Sequence, residues 1–399
     1  MNAVEIKNGI YWVGAIDHNI RNFHGYIIPN GTTYNSYLIT GEKNVLIDSV
    51  KSPFKDELLA RITSVIDPSE IDVFIINHCE MDHSGSSEAV MKLAKDATVY
   101  SSKKGLEFLH KHYSSSKTWN IQIVDENTKL DIGGGRSLNF IPVPMLHWPD
   151  SMMTYLPEEH LLFSNDGFGQ HIAPAQRFYD EIDDLDVMDE AKKYYANILM
   201  PFSSMALKKI PALESIEIDS ICPSHGSIFR QKKDITKIIE NYKSWAAGET
   251  LEKAVIVYDT MYSSTEKMAR AIEEGLMSGG VDVKVFNLRV SDLSEVMKEV
   301  LDSAGLVVGS ATLNNGFMPT VGAFLTYLEG LKPRGKLALS FGSYGWGGGA
   351  MKKINEALLN IGLNLVDDGY QLKFVPEADE LKHCFELGRE FANKIRRKS

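Results

Sequence analysis

From residue 1 to about 245 the chain reads as short apolar runs broken by turn residues. Examples are Tyr11-Trp12-Val13, Tyr37-Leu38-Ile39, Val45-Leu46-Ile47, Ile121-Gln122-Ile123-Val124 and Leu138-Asn139-Phe140-Ile141. Their length and β-branched content predict strands. Helical stretches at 54–65, 86–95 and 185–198 interrupt them. Many short strands with helices between them predict a sandwich of sheets covered by helices.

Near Ser244-Trp245-Ala246-Ala247-Gly248-Glu249-Thr250 the pattern changes, which divides the chain into domains at 1–248 and 249–399. Beyond that point strands at 254–258, 282–287, 305–309, 336–341 and 370–374 alternate with helices at 265–279, 292–302, 320–330, 350–361 and 378–397. Regular alternation of this kind predicts a doubly wound, five-stranded parallel sheet. There is no internal repeat and no low-complexity tract.

Composition narrows the class. At 399 residues two domains are expected. A net charge of −11 argues against nucleic acid as a partner. The start Met1-Asn2-Ala3-Val4-Glu5-Ile6-Lys7 lacks a signal-peptide pattern, and no segment approaches the ~20 apolar residues of a membrane span, so a cytoplasmic protein without membrane contact is expected. The cysteines, Cys79, Cys222 and Cys384, are too few and too scattered for a disulfide scaffold or a cysteine-ligated iron centre. An electron donor of that type has to be a separate protein.

The candidate chemistry begins after the apolar run Val73-Phe74-Ile75-Ile76. His78, Glu80, Asp82 and His83 form His-x-Glu-x-Asp-His, and His147, Asp166 and His225 each follow another apolar strand. A lone histidine or carboxylate is most often a surface or hydrogen-bonded residue. A group of them at strand ends is costly to bury without a cation, and seven ligands are enough for two ions with a bridging carboxylate. Cys79 lies within the motif and reads as packing.

The series resembles the ligand pattern of the metallo-β-lactamase fold, whose usual form is His-x-His-x-Asp-His and holds two zinc ions. Glu80 stands here in place of the second histidine, and a mixed imidazole–carboxylate set suits iron. That substitution, with His147-Trp148-Pro149-Asp150-Ser151-Met152 and Tyr194-Tyr195-Ala196-Asn197, is similar to the flavodiiron proteins (A-type flavoproteins) in their minimal two-domain form. The resemblance implies an N-terminal metallo-β-lactamase-like αββα sandwich followed by a flavodoxin-like domain. It also implies one iron on His78, Glu80 and His147, a second on Asp82, His83 and His225, and Asp166 bridging them.

In the second domain, strand 254–258 leads into Asp259-Thr260-Met261-Tyr262-Ser263-Ser264-Thr265 and a helix. A hydroxyl-rich loop at a helix N-terminus suits a phosphate, although such residues are also ordinary caps. Ser310-Ala311-Thr312-Leu313-Asn314-Asn315-Gly316 and Gly342-Ser343-Tyr344-Gly345-Trp346-Gly347-Gly348-Gly349 follow two further strands, at the sheet end where ligands bind. This resembles the flavodoxin family and implies FMN. Thr260, Ser264 and Thr265 hold its phosphate, and Thr312 to Asn315 with Tyr344, Gly345 and Trp346 line its ring. Met261, Tyr262, Ser263, Ala311, Ser343, Gly347 and Gly348 complete the binding loops. Ala311 stands where the family commonly has proline and Tyr262 where it has tryptophan. The run from Gly345 only half-matches a dinucleotide fingerprint and lies after the fourth strand, so no nicotinamide site is expected.

Together these features point to a reductase of dioxygen, nitric oxide or both, fed from outside through FMN. The resemblance implies a rubredoxin-like donor or, as runner-up, a reduced deazaflavin. It further implies a head-to-tail homodimer or a dimer of dimers. Outside the seven ligands, His24 and His171 are candidates for proton donation or for shaping a gas pocket, with a structural role equally available to each. His24 is the better candidate, with Tyr195 beside it. A binuclear zinc hydrolase with an accessory flavodoxin is the main alternative, and Glu80 counts against it. A pure electron carrier is the third, and the intact ligand series counts against that.

Overall fold

The computed structural model describes residues 1–183 and 186–397. The chain divides into two compact units, Met1–Tyr194 with Phe202–Lys243 and Tyr195–Pro201 with Ser244–Ser399.

In the first unit, seven strands running Val4–Lys7, Ile10–Trp12, Tyr37–Ile39, Asn44–Ile47, Ile71–Ile75, Thr98–Ser101 and Asn120–Ile123 form one sheet in that order. A second sheet orders Lys129–Gly133, Arg136–Pro142, Met152–Leu156, Leu161–Asn165 and Ser220–Pro223. Period-two alternation explains how they pack. Val45, Ile47, Val73 and Ile75 point into a core shared with Leu138, Phe140, Leu161 and Phe163 of the second sheet. Their neighbours Leu46 and Phe74 face the other way, against Leu58 and Ile62 of helix Lys55–Thr63 and Val90 of helix Ser87–Leu93. The result is the αββα sandwich that the resemblance implied.

The third expected helix changes character along its length. Leu185, the first residue of the predicted 185–198 stretch, lies outside the described residues. From Val187–Tyr194 the chain is α-helical, and Tyr195–Leu199 widens to a π-helix. The segment from Tyr195 groups with the second unit, although the sequence pattern set all of 1–248 together. There Tyr327 donates its hydroxyl to Asn197 Oδ1 (2.6 Å), and Asn197 Nδ2 donates to the Ser294 carbonyl (3.2 Å).

In the second unit the parallel strands lie side by side as Asp282–Asn287, Leu251–Asp259, Ser303–Ala311 and Leu337–Tyr344, with Tyr370–Lys373 on the far edge. In chain order this is 2-1-3-4-5, the flavodoxin-like arrangement. A two-residue strand, Asn364–Leu365, also pairs beside Leu337–Ala338, so the edge predicted as one strand is built from two pieces. Among the described residues, no helix is long and apolar enough to cross a membrane.

Candidate functional site

Two sheets of the first unit deliver the seven candidate ligands to one pocket. His78 and Glu80 follow strand Ile71–Ile75, and Asp82 and His83 lie on the single turn Met81–Ser84. His147 sits in the loop between Arg136–Pro142 and Met152–Leu156, Asp166 directly follows Leu161–Asn165, and His225 follows Ser220–Pro223. Gly226 permits the turn after His225. Its φ is +81°, and a Cβ there would meet Gln170 Oε1 at 2.3 Å. His78, Asp82, His83, Asp166 and His225 are all buried.

The side chains separate into two groups around Asp166. On one side, His147 Nε2 and His78 Nε2 lie 3.0 and 3.3 Å from Glu80 Oε2, and 3.6 and 3.7 Å from Asp166 Oδ2. On the other, His225 Nε2 and His83 Nε2 lie 3.0 and 3.2 Å from Asp82 Oδ2, and 3.6 and 3.1 Å from Asp166 Oδ1. The two oxygens of one carboxylate thus face different ligand triads. Buried polar atoms normally find hydrogen-bond partners, yet among the described residues both Asp82 oxygens, Asp166 Oδ2 and Nε2 of His83, His147 and His225 have no hydrogen-bond partner and converge here. That donor set, of imidazole nitrogens and carboxylate oxygens, fits a pair of iron ions.

The electrostatics are those of a concentrated charge cluster. Burial disfavours charge on His83, but Asp82 and Asp166 outweigh it and push its pKa up to about 9. Burial likewise opposes ionisation of Asp166, and the surrounding histidines overcome it and hold the carboxyl well below its ordinary range. The carboxylates are therefore ionised and ready to bind cations.

Residues behind the ligands fix their ring orientation. His225 donates Nδ1–H to the Thr33 carbonyl (2.7 Å), which leaves Nε2 as a lone pair toward the pocket. His78 Nδ1 lies 3.1 Å from both Asp150 oxygens, and Asp150 also accepts from the Cys79 amide (2.7 Å). Cys79 is itself buried, with Sγ turned to the Gly105 carbonyl, in keeping with packing. Asp150 stood within a motif recognised in the sequence, but nothing in a linear reading marks it as the partner of His78. Asp150→Asn is expected to weaken metal binding by ~10–100-fold, the usual range for such partners, measured by competition against a chelator.

His24 reaches the same pocket from the hairpin of Asn22–Phe23 and Tyr26–Ile27, with Nε2 3.5 Å from Glu80 Oε1. Tyr195 packs on Trp245 in the second unit, and a tyrosine that bonds the cluster is its neighbour Tyr194, whose hydroxyl donates to Asp166 Oδ1 (2.8 Å). The α-helix ends at Tyr194, and the wider π-helical turn begins at Tyr195.

In the second unit, all three predicted loops leave the carboxyl end of the sheet. The register pairs Asp259 with Ser310, and Ala311 with Ser343. Thr260 to Ser263 leads into helix Ser264–Ser278, and Thr265 Oγ1 meets Ser343 Oγ at 2.9 Å. Asn314 and Asn315 take left-handed backbone, φ 49° and 57°, which asparagine tolerates better than most residues. Gly347 and Gly349 of the third loop come against Asn315, where a Cβ would lie 3.5 Å from its Oδ1 and 2.6 Å from its carbonyl respectively.

The chemistry of this cradle fits FMN. Among the described residues Thr260 Oγ1 is buried with no hydrogen-bond partner, in the loop that leads to the helix N-terminus at Ser264, where a phosphate is favoured. Tyr262 and Trp346 are 91% and 96% exposed, and flat apolar rings left so open at a loop mouth suit stacking on a planar ligand. Thr260→Val removes one hydroxyl. A hydrogen bond to a charged group contributes ~1.5–3 kcal/mol, so FMN affinity should fall by about 10–100-fold in a fluorescence-quenching titration.

A sandwich carrying a binuclear ligand set, continued by a flavodoxin-like sheet, defines a flavin-linked binuclear metalloprotein. Known proteins agree: residues 32–226 match the ODP family beta lactamase and residues 256–388 match Flavodoxin. The chain is 49% identical to a nitric oxide reductase of Moorella thermoacetica, over 98% of each chain. It is similar to the structure of rubredoxin oxygen:oxidoreductase from Desulfovibrio gigas, with a TM-score of 0.96, 38% identity and coverage of 100% and 99% of the two chains. It is equally similar to the flavodiiron protein of Giardia intestinalis, with a TM-score of 0.96, 37% identity and coverage of 100% and 98%. The chain belongs to the flavodiiron proteins.

Proposed function

We propose that the protein is an oxidoreductase that uses electrons from an external donor to reduce dioxygen to water, nitric oxide to nitrous oxide, or both. Bound FMN relays electrons, and a bound diiron pair supplies the redox change at the gas. The observation that carries this reading is the division of Asp166, with Oδ2 toward His78 and His147 and Oδ1 toward His83 and His225.

In this reading His78, Glu80 and His147 hold one iron, Asp82, His83 and His225 hold the other, and Asp166 bridges. The ligand carboxylates supply negative charge to offset the cations, and Asp150 and the Thr33 carbonyl keep the imidazoles of His78 and His225 aimed inward. Tyr194 keeps its proton. Burial and the neighbouring Asp166 raise its hydroxyl well above the ordinary tyrosine range, so it serves as a neutral donor to the bridging carboxylate. His24 Nε2 faces Glu80 Oε1 and Asp82 Oδ2, one carboxylate from each triad, and so would border the space where a gas meets the metal pair. Thr260, Ser264 and Thr265 hold the FMN phosphate, and residues 311–315 and 343–348 line its ring.

The named relatives act on nitric oxide and on oxygen with rubredoxin. For this chain the donor is proposed to be a rubredoxin-like protein or a reduced deazaflavin, and the assembly a head-to-tail homodimer or a dimer of dimers. Anaerobic assays with each donor, following dioxygen and nitric oxide at electrodes, test the activity. Turnover of either gas supports it, and a protein loaded with iron and FMN that consumes neither from any donor contradicts it. Sedimentation of the holoenzyme tests the assembly, and an active monomer contradicts it.

A further inference from the structure

Behind His24, away from the ligands, lies a chain of buried polar groups. Its Nδ1 is 3.3 Å from Nε2 of His171, and His171 Nδ1 is 2.9 Å from the hydroxyl of Thr32. His171 and Thr32 are fully buried, and only 8% of the His24 side chain is exposed. Phe23 stacks on the His24 ring at 4.1 Å between centroids, which holds its plane.

Two directions of hydrogen bonding are open to such a chain, and the geometry selects one. His225 directs its Nδ1–H to the Thr33 carbonyl at 2.7 Å, with Thr32 Oγ1 also in reach at 3.4 Å. The Thr32 oxygen is thus on the accepting side of His225. Its own proton has two acceptors, His171 Nδ1 at 2.9 Å and the Thr33 carbonyl at 3.3 Å, and the nearer is His171. With the Thr32 hydroxyl donating to the His171 Nδ1 lone pair, the His171 hydrogen is on Nε2, where it donates to His24 Nδ1. The His24 hydrogen is then on Nε2.

The far end agrees. His24 Nε2 faces Glu80 Oε1 at 3.5 Å and Asp82 Oδ2 at 3.9 Å, and a lone pair there would oppose two carboxylates. An N–H is attracted by both, and among the described residues this buried nitrogen has no hydrogen-bond partner, so its N–H is available to donate. His24 Nδ1 and His171 Nε2, 3.3 Å apart, can share only one hydrogen, and because His171 supplies it, His24 Nδ1 accepts and the His24 hydrogen is on Nε2.

We infer that Thr32 and His171 are positioning residues that lock His24 as its Nε2–H tautomer and so present one fixed hydrogen-bond donor to an oxygen atom of the gas in the metal pocket. The identity of the gas rests on the function proposed above, whereas the tautomer does not. The opposite polarity would put a lone pair at the same place and make His24 an additional metal ligand instead.

The test is two-bond proton–nitrogen NMR on the full chain with zinc in place of iron and with 15N-labelled histidine, His24 being assigned from His24→Gln. The expected wild-type result is His24 protonated on Nε2. In His171→Leu and in Thr32→Val that preference should be lost. In His171→Gln, whose amide nitrogen can donate to His24 Nδ1, it should return. With iron restored, His171→Leu should raise KM for the gas several-fold, and His171→Gln should recover it. A wild-type His24 protonated on Nδ1, or a tautomer unchanged in both His171→Leu and Thr32→Val, overturns the inference. Zinc content of the same samples tests the metal reading separately, since failure to bind a metal pair leaves the tautomer measurable.

Discussion

Asp166→Ala is expected to empty both metal positions at once. Each of its oxygens faces a different triad, so one truncation removes a ligand from two ions and leaves two partly satisfied sites. It also leaves Tyr194 without its acceptor. Loss of an outer partner alone costs ~10–100-fold in metal affinity or activity, so loss of the shared ligand should exceed about 100-fold in gas reduction. Elemental analysis should show iron falling at both positions together, while FMN content stays unchanged because its loops belong to the other unit. Retention of one full iron would show that Asp166 does not bridge.

Metal removal should have the second large effect, on stability. The pocket buries Asp82, Asp166 and three fully enclosed histidines, with several of their polar atoms unpartnered. Cations that bind only the folded chain stabilise it by mass action, by about 2.7 kcal/mol at a hundredfold excess over Kd for one site. At ~2–4 °C per kcal/mol for a unit of this size, that is roughly 5–11 °C in Tm. Chelation should lower the melting transition of the first unit by at least that amount, and added iron should restore it. A melting curve indifferent to chelator would mean that the cluster is held together without metal.

The second unit was nearly all legible in the sequence, because continuous apolar runs, buried on both faces, alternate there with amphipathic helices at regular spacing. Strand 254–258 and helix 265–279 became Leu251–Asp259 and Ser264–Ser278, differing only at their ends. The gathering of the seven candidate ligands was legible for another reason, since each follows an apolar strand that ends at the pocket. What escaped depends on a backbone that deviates from a regular period. The widening at Tyr195 has no signature in residue type, and neither does the bond from Tyr194 to Asp166. Asp150 and the Thr32–His171 pair act through side chains distant in sequence, 72 residues for Asp150 to His78 and 139 for Thr32 to His171, and no local pattern encodes such contacts.

Glu80 carries the distinction between iron reductase and zinc hydrolase. Its Oε2 sits within 3.3 Å of both His78 and His147, so a hard oxygen occupies the place of a third imidazole. The most direct test of the account is therefore the metal and flavin content of the freshly purified protein, made with iron available. About two irons and one FMN per chain is the predicted result. Two zinc ions with little iron would contradict the redox function.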